Sequence, residues 1–142
     1  MIYLCRHGQT EFNREGRFQG QTESDLTALG RAQAQAMGEL LAELVAHEPS
    51  DAWRIVASPL RRARHTAEAI AERTGLPLSF DDRLLEISVG DWSGRLREDI
   101  RRDNPELFAS YEWAFRAPGG ETFEDVTARV TVSLADQATK FR

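Results

Sequence analysis

The stretch Leu4-Cys5-Arg6-His7-Gly8-Gln9-Thr10 decides how this chain is read. A short apolar run, Met1 to Cys5, halts at an arginine, a histidine and a glycine. A continuous apolar run of this length predicts a strand of a parallel sheet covered on both faces. Ligands of open parallel sheets sit beyond the carboxyl ends of the strands. Arg6 and His7 are therefore expected at the edge where a ligand would bind.

Working outward, residues 6–26 read as a loop punctuated by Gly8, Asn13, Gly16 and Gly20. Thr27 predicts the N-cap of a helix reaching about Ala46, with Leu29, Ala36, Leu40 and Leu44 along its apolar stripe. Trp53 to Ala57 reads as a second strand. Ser58 and Pro59 predict the N-cap and first residue of a helix running to Thr74, and Gly75 is its natural stop. Leu76 to Phe80 reads as a third strand, and residues 81–94 as an irregular connection. Helical patterns fill 95–103, 105–115 and 123–139, with a loop at Ala117-Pro118-Gly119-Gly120. The order β-α-β-α-β predicts an α/β fold, a three-layer α/β/α sandwich with a mostly parallel central sheet, built as one domain over residues 1–142.

Composition narrows the function. The chain has 41% apolar and 29% charged residues, ordinary values for a globular protein. A net charge of −5 gives no reason to expect nucleic acid or an acidic membrane as partner. No apolar window approaches the ~18 residues of a membrane span. The single cysteine, Cys5, excludes an internal disulfide and suggests a cytoplasmic setting. It is expected to be a small buried strand residue.

The second strand delivers Ser58-Pro59-Leu60-Arg61-Arg62 to the same sheet edge as Arg6-His7. Arg61, Arg62 and Arg64 fall in the first two turns of a helix, where cations oppose the macrodipole by a few tenths of a kcal/mol each. A bound anion reverses that argument, because arginine forks and free backbone N–H groups both favour phosphate. Arg61 and Arg64 read as a solvated helix face. His65, one turn beyond Arg62, reads as a helix-packing residue.

Other phosphate chemistries do not fit. A cysteine phosphatase needs an arginine six residues after its nucleophile, and counting from Cys5 reaches Glu11. There is no glycine-lysine phosphate loop and no paired-histidine metal motif. His7, His47 and His65 lack metal-site spacing, so neither metal nor other cofactor is expected.

The chain resembles the histidine phosphatase superfamily, also called the phosphoglycerate mutase-like family. The resemblance rests on Arg6-His7-Gly8, then Thr10, Asn13, Arg17-Phe18-Gln19-Gly20, Leu26-Thr27 and Gly30. It continues through Ser58-Pro59-Leu60-Arg61-Arg62-Ala63 and Thr66-Ala67, Leu85-Glu86 with Gly90, Trp92 and Gly94, and Pro118-Gly119-Gly120-Glu121.

The resemblance implies a phosphomonoesterase acting on a small phosphorylated metabolite, without metal. It gives His7 the role of a nucleophile that forms a phosphohistidine. Arg6 and Arg62 would bind the phosphoryl oxygens. Asn13, Gln19 and Gly20 would contact phosphate or substrate. Glu86 would protonate the leaving oxygen and then activate water. The attacking imidazole must be neutral, so its other nitrogen should donate to a backbone carbonyl.

The short segment after Glu86 resembles the compact phosphatase branch of the family rather than the mutases. Trp92, Trp113, Phe115 and Arg116 are candidates for lining the substrate, although core packing accounts equally well for the aromatics. The family also has a second catalytic histidine in a Ser-His-Gly context, and no such triplet occurs here. The expectation is that the last strands of the family sheet are missing, leaving an edge that a homodimer could cover. Two alternatives follow: mutase-type phosphoryl transfer, or a phosphate-binding module without turnover.

Overall fold

Two parallel strands and two long helices form the frame of the molecule. The computed structural model describes residues 1–49, 51–109 and 116–140. Helix α1 (Glu11–Glu15) is followed by α2 (Ala28–Val45), β1 (Ile55–Ala57), α3 (Arg61–Thr74) and β2 (Leu78–Phe80). Then come α4 (Arg97–Asp103), α5 (Pro105–Ala109) and α6 (Phe123–Lys140). Strands β1 and β2 pair in parallel, with Ile55 opposite Leu78 and Ala57 opposite Phe80. The α/β class holds, with a small parallel sheet and packed helices.

The expected first strand is not formed. Residues 1–5 are outside any strand and exposed, with Leu4 at 98%. A strand exists only through ladder bonds to a neighbour, and among the described residues this segment has none. Tyr3 stacks on Trp53 with ring centroids 5.1 Å apart. Cys5 is exposed rather than buried.

Helix α2 buries a different face from the one its leucines predict. Gly30, Ala34 and Gly38 are buried, while Leu29, Leu40 and Leu44 are exposed. The reason is close backbone approach. A Cβ on Gly38 would lie 3.1 Å from both the Ala69 oxygen and the Arg73 Cβ of α3. A Cβ on Gly30 would lie 2.0 Å from the Gln9 oxygen. Leucine at either position would force the elements apart. Thr27 does cap α2, its hydroxyl accepting the Gly30 N–H at 3.0 Å.

Helix α3 begins two residues later than Ser58-Pro59 predicts, with Leu60 at the cap position and no capping side chain of its own. Its first N–H instead donates to Glu23 Oε2 at 2.9 Å, so a distant carboxylate does the work of the cap. Gly75 ends the helix in the left-handed conformation, φ 71°, with its N–H on the Ala71 oxygen.

Trp92, Ile100 and Ala117 form a buried cluster with Phe18, Val89, Leu107 and Phe108 against it. Trp92 is 3% exposed and packs against Phe18 and Phe108 as a core residue, and it also lines, with Arg116, the cavity that His7 and Arg62 face. Trp113, Phe115 and the end of the helix expected over 105–115 lie outside the described residues. Helix α6 docks through Ser133, whose hydroxyl donates to Asp81 Oδ2 at 2.7 Å, and through Asp136, 2.5 Å from Arg83. Among the described residues no helix is long and apolar enough to cross a membrane.

Candidate active site

The site is built on the residues after Cys5. Gly8 is buried, and a Cβ there would lie 2.1 Å from the Gly30 oxygen. The chain can therefore lie against the start of α2 only because residues 8 and 30 are both glycine. The Gly8 N–H donates to Thr66 Oγ1 of α3 at 3.1 Å, and Thr66 in turn donates to the Arg62 oxygen at 2.8 Å. His7 is thereby fixed relative to Arg62 by two short steps through buried groups.

The imidazole of His7 is half-buried, with Nδ1 2.7 Å from the Gly8 oxygen. A carbonyl only accepts, so Nδ1 carries the proton. Nε2 is then the lone-pair nitrogen, as nucleophilic attack requires. Burial lowers the His7 pKa below its ordinary value, and the charges of Arg62 and Arg6 lower it further. The Gly8 bond and the charge of Glu86 act in the opposite direction without reversing the result. The neutral form is thus favoured at neutral pH.

Arg62 is almost wholly buried at 2% exposure. Its Nη2 donates to the Gly20 oxygen at 2.6 Å and Nη1 to the Thr22 oxygen at 3.1 Å. These bonds aim the guanidinium while leaving N–H groups for an anion. Gly20 has φ 51°, and a Cβ there would lie 2.7 Å from Val89 Cγ2. The bare backbone lets residues 19–22 reach both Arg62 and the segment after Glu86. Arg6 is exposed and makes no hydrogen bond or ion pair among the described residues.

Asn13 and Gln19 are oriented by one buried residue, Thr10, that sequence reasoning missed as functional. Thr10 Oγ1 is 2.9 Å from Asn13 Oδ1 and 2.6 Å from Gln19 Oε1. The Thr10 N–H also donates to Asn13 Oδ1 at 3.0 Å, and Thr10 Oγ1 accepts the Asn13 N–H. This reciprocal capping box starts α1, a helix absent from the loop expected over residues 6–26. With both amide oxygens committed to Thr10, the NH₂ ends are what each side chain can offer an anion. The pattern of threonine followed three residues later by a polar amide was the available signal.

Arg6, His7, Asn13, Gln19, Gly20, Arg62 and Glu86 all line one cavity of about 200 Å³. Arg6, His7 and Asn13 also face a wider cavity of about 660 Å³, whose far wall includes Ala36, Met37 and Leu40. Glu86 is exposed at the rim, its Oε1 accepting the Ile87 N–H at 2.9 Å. Arg61 instead pairs with Asp25 at 2.9 Å, and Arg64 lies over the Phe80 ring at 4.1 Å. His65 is exposed, contrary to the packing role its position suggests, because α3 turns Thr66, Ala67 and Ile70 inward. Neither His47 nor His65 lines either cavity. No group of three potential metal ligands occurs among the described residues.

The segment carrying Glu86 is held from α6. Arg129 and Glu121 form an ion pair at 3.1 Å, and both touch the backbone of residues 83–88. Burial works against the Glu121 charge, but bonds from Arg129 and the Ser88 N–H outweigh it and hold the carboxyl below its ordinary range.

Comparison with known proteins identifies the family. Residues 2–141 match the Histidine phosphatase superfamily (branch 1). The chain is 43% identical over 137 residues to a glucosyl-3-phosphoglycerate phosphatase of Mycobacterium tuberculosis, covering 95% of this chain and 59% of that protein. It is 35% identical over 137 residues to a probable phosphoglycerate mutase GpmB of Salmonella paratyphi C, covering 94% and 61%. The structure of the mycobacterial glucosyl-3-phosphoglycerate phosphatase Rv2419c in complex with VO3 superposes with a TM-score of 0.84 at 38% identity, covering 94% of this chain and 62% of that one. The chain thus spans about three-fifths of the length of these relatives. With a match running from residue 2 to residue 141, the chain belongs to the histidine phosphatase superfamily.

Proposed function

We propose that this chain carries the nucleophilic half-site of a phosphomonoesterase working through a phosphohistidine on His7. The observation that carries the reading is the Nδ1 bond from His7 to the Gly8 oxygen, which leaves Nε2 basic in a cavity walled by Arg6, Arg62 and Glu86. Nε2 attacks phosphorus in line, and the P–N bond forms as the P–O bond to the alcohol breaks. Glu86 gives its proton to the departing oxygen. In the second half, Glu86 takes a proton from water, whose oxygen attacks phosphorus and releases inorganic phosphate from Nε2. Arg6, Arg62 and the NH₂ groups of Asn13 and Gln19 bind the phosphoryl oxygens as charge redistributes. No step calls for a metal.

Similarity to the mycobacterial enzyme supports a phosphorylated substrate of the glucosyl-3-phosphoglycerate type. We place the reaction in the cytoplasm, the setting that suits a chain with one exposed thiol. Similarity to the Salmonella protein favours a second reading, in which a sugar-acid hydroxyl rather than water accepts the phosphoryl group. Incubation with glucosyl-3-phosphoglycerate and with 3-phosphoglycerate, in chelator, separates the two. Release of inorganic phosphate supports hydrolysis, and isomerisation without release supports the mutase. Neither product, with phosphate still binding at Arg62, would leave a phosphate-binding module and overturn the enzymatic reading.

A further inference from the structure

The Arg129 guanidinium places all five of its N–H groups on one short stretch of chain and on Glu121. Nη1 donates to the Arg83 oxygen at 2.8 Å and the Leu85 oxygen at 2.6 Å. Nη2 donates to the Glu86 oxygen at 3.2 Å and to Glu121 Oε2 at 3.1 Å. Nε donates to Glu121 Oε1 at 3.1 Å. An arginine has five such donors, so none remains for a substrate anion. Arg129 is half-buried at 19% side-chain exposure and is satisfied by the protein alone.

Three carbonyls within four residues thus converge on one cation. The segment they belong to, from the turn at Asp82–Leu84 to the turn at Gly90–Trp92, has no secondary structure of its own between those turns. Further ties run to Glu121 and to Gln21. Glu121 Oε2 accepts the Ser88 N–H at 2.8 Å, the Glu121 N–H donates to the Ser88 oxygen at 2.9 Å, and Gln21 Nε2 donates to the Glu86 oxygen at 3.0 Å. The backbone is therefore gripped on both sides of Glu86, while the Glu86 carboxylate stays at the cavity rim.

We infer that Arg129, locked to Glu121, is a positioning residue that sets the Glu86 carboxyl where the leaving oxygen departs. This rests on the reading of Glu86 as the general acid. Proton donation depends on sub-ångström placement, and a loop without a ladder gives none unless its carbonyls are pinned.

The test uses the leaving group. A nitrophenolate departs without a proton, whereas an alkoxide needs one. The value of kcat/KM reports only the first irreversible step, formation of the phosphohistidine, so it isolates the acid role from the later activation of water. The parent, Arg129→Ala, Arg129→Lys, Glu121→Gln and Glu86→Gln are compared on p-nitrophenyl phosphate and on a simple alkyl phosphate, with thermal unfolding and competitive inhibition by inorganic phosphate measured alongside. For Arg129→Ala and Glu121→Gln the alkyl ester should lose about 100-fold, within the range of general acid catalysis, and the nitrophenyl ester about tenfold less. Phosphate inhibition should stay within about twofold, and Glu86→Gln should show the same selectivity. Arg129→Lys should recover part of the alkyl activity. If Arg129→Ala fails to fold, the same ratio in Arg129→Lys and Glu121→Gln decides. Equal losses on both esters, or no loss, in folded variants would overturn the positioning role alone. A parent inactive on both esters would overturn the phosphatase reading and this inference with it.

Discussion

The hydroxyl of Thr10 lies 2.6 Å from the amide oxygen of Gln19 inside a site that Thr10 itself never faces. Thr10 is fully buried, and its hydroxyl and N–H also meet Asn13 Oδ1. One residue thus decides which end of two amides is presented to an anion, Gln19 through the single hydroxyl proton and Asn13 through the backbone N–H. Thr10→Val keeps the volume and removes the hydroxyl. Gln19 then loses the bond that orients its amide, Asn13 keeps the Thr10 N–H, and α1 loses the hydroxyl that caps it. Phosphate affinity, measured by calorimetry, should weaken by about tenfold, the size of one lost hydrogen bond to a charged group. Stability should fall by about 1–2 kcal/mol. Thr10→Ser should restore most of both.

The contact between Gly8 and Gly30 gives a prediction about the frame. A Cβ on Gly30 would meet the Gln9 backbone at 2.0 Å, with no flexible side chain to yield. Gly30→Ala should therefore destabilise the protein by about 1–3 kcal/mol in urea unfolding, despite the better helix propensity of alanine. Alanine at Gly75, which has open space around its missing Cβ but φ 71°, should cost less, about 1 kcal/mol.

The depressed pKa of His7 fixes the sign of one pH effect. Burial and the charges of Arg62 and Arg6 keep the imidazole neutral below its ordinary range, so the acid limb of kcat/KM should lie below pH 6.5. Removing one of those cations, as in Arg62→Gln, should move that limb upward while lowering the rate. A limb unmoved by the substitution would show that the Arg62 charge does not reach the imidazole.

Asp81 gives a stability prediction of the same kind. Bonds from Arg83, and then from the Ser133 hydroxyl and the Arg83 N–H, hold its carboxyl well below the usual range against the effect of burial. A carboxyl depressed on folding stabilises the protein above its unfolded pKa of about 3.9 and loses that contribution as pH falls through the folded value. Asp81→Asn should therefore lower the melting temperature at pH 7 and flatten its decline below pH 4. Ser133→Ala should do the same to a smaller extent.

How much of this was legible in the sequence follows from which interactions are local. Arg6 and His7 could be placed because they end an apolar run, and Arg62 because the run Ser58-Pro59-Leu60-Arg61-Arg62-Ala63 resembles a family motif; those signals lie within a few residues. The buried face of α2 was misread because leucine spacing outweighed the small residues. Gly30, Ala34 and Gly38 recur every four residues, which is itself the mark of close helix packing. The strand expected at Met1 to Cys5 has the right composition, but a ladder needs a partner, and composition does not name one. Glu23 capping α3 and Arg129 gripping residues 83–86 join positions 38 and more than 40 apart in sequence. No periodicity within either segment points to the other.

The central claim is that His7 Nε2 takes the phosphoryl group. The most direct test mixes the chain with p-nitrophenyl phosphate, quenches in alkali, where a phosphohistidine survives, and maps the phosphoryl group by mass spectrometry. The account predicts one phosphoryl group on the peptide containing His7, bonded through Nε2 and absent from His7→Ala. A phosphoryl group on any other residue, or none on His7 while nitrophenol is released, would contradict it.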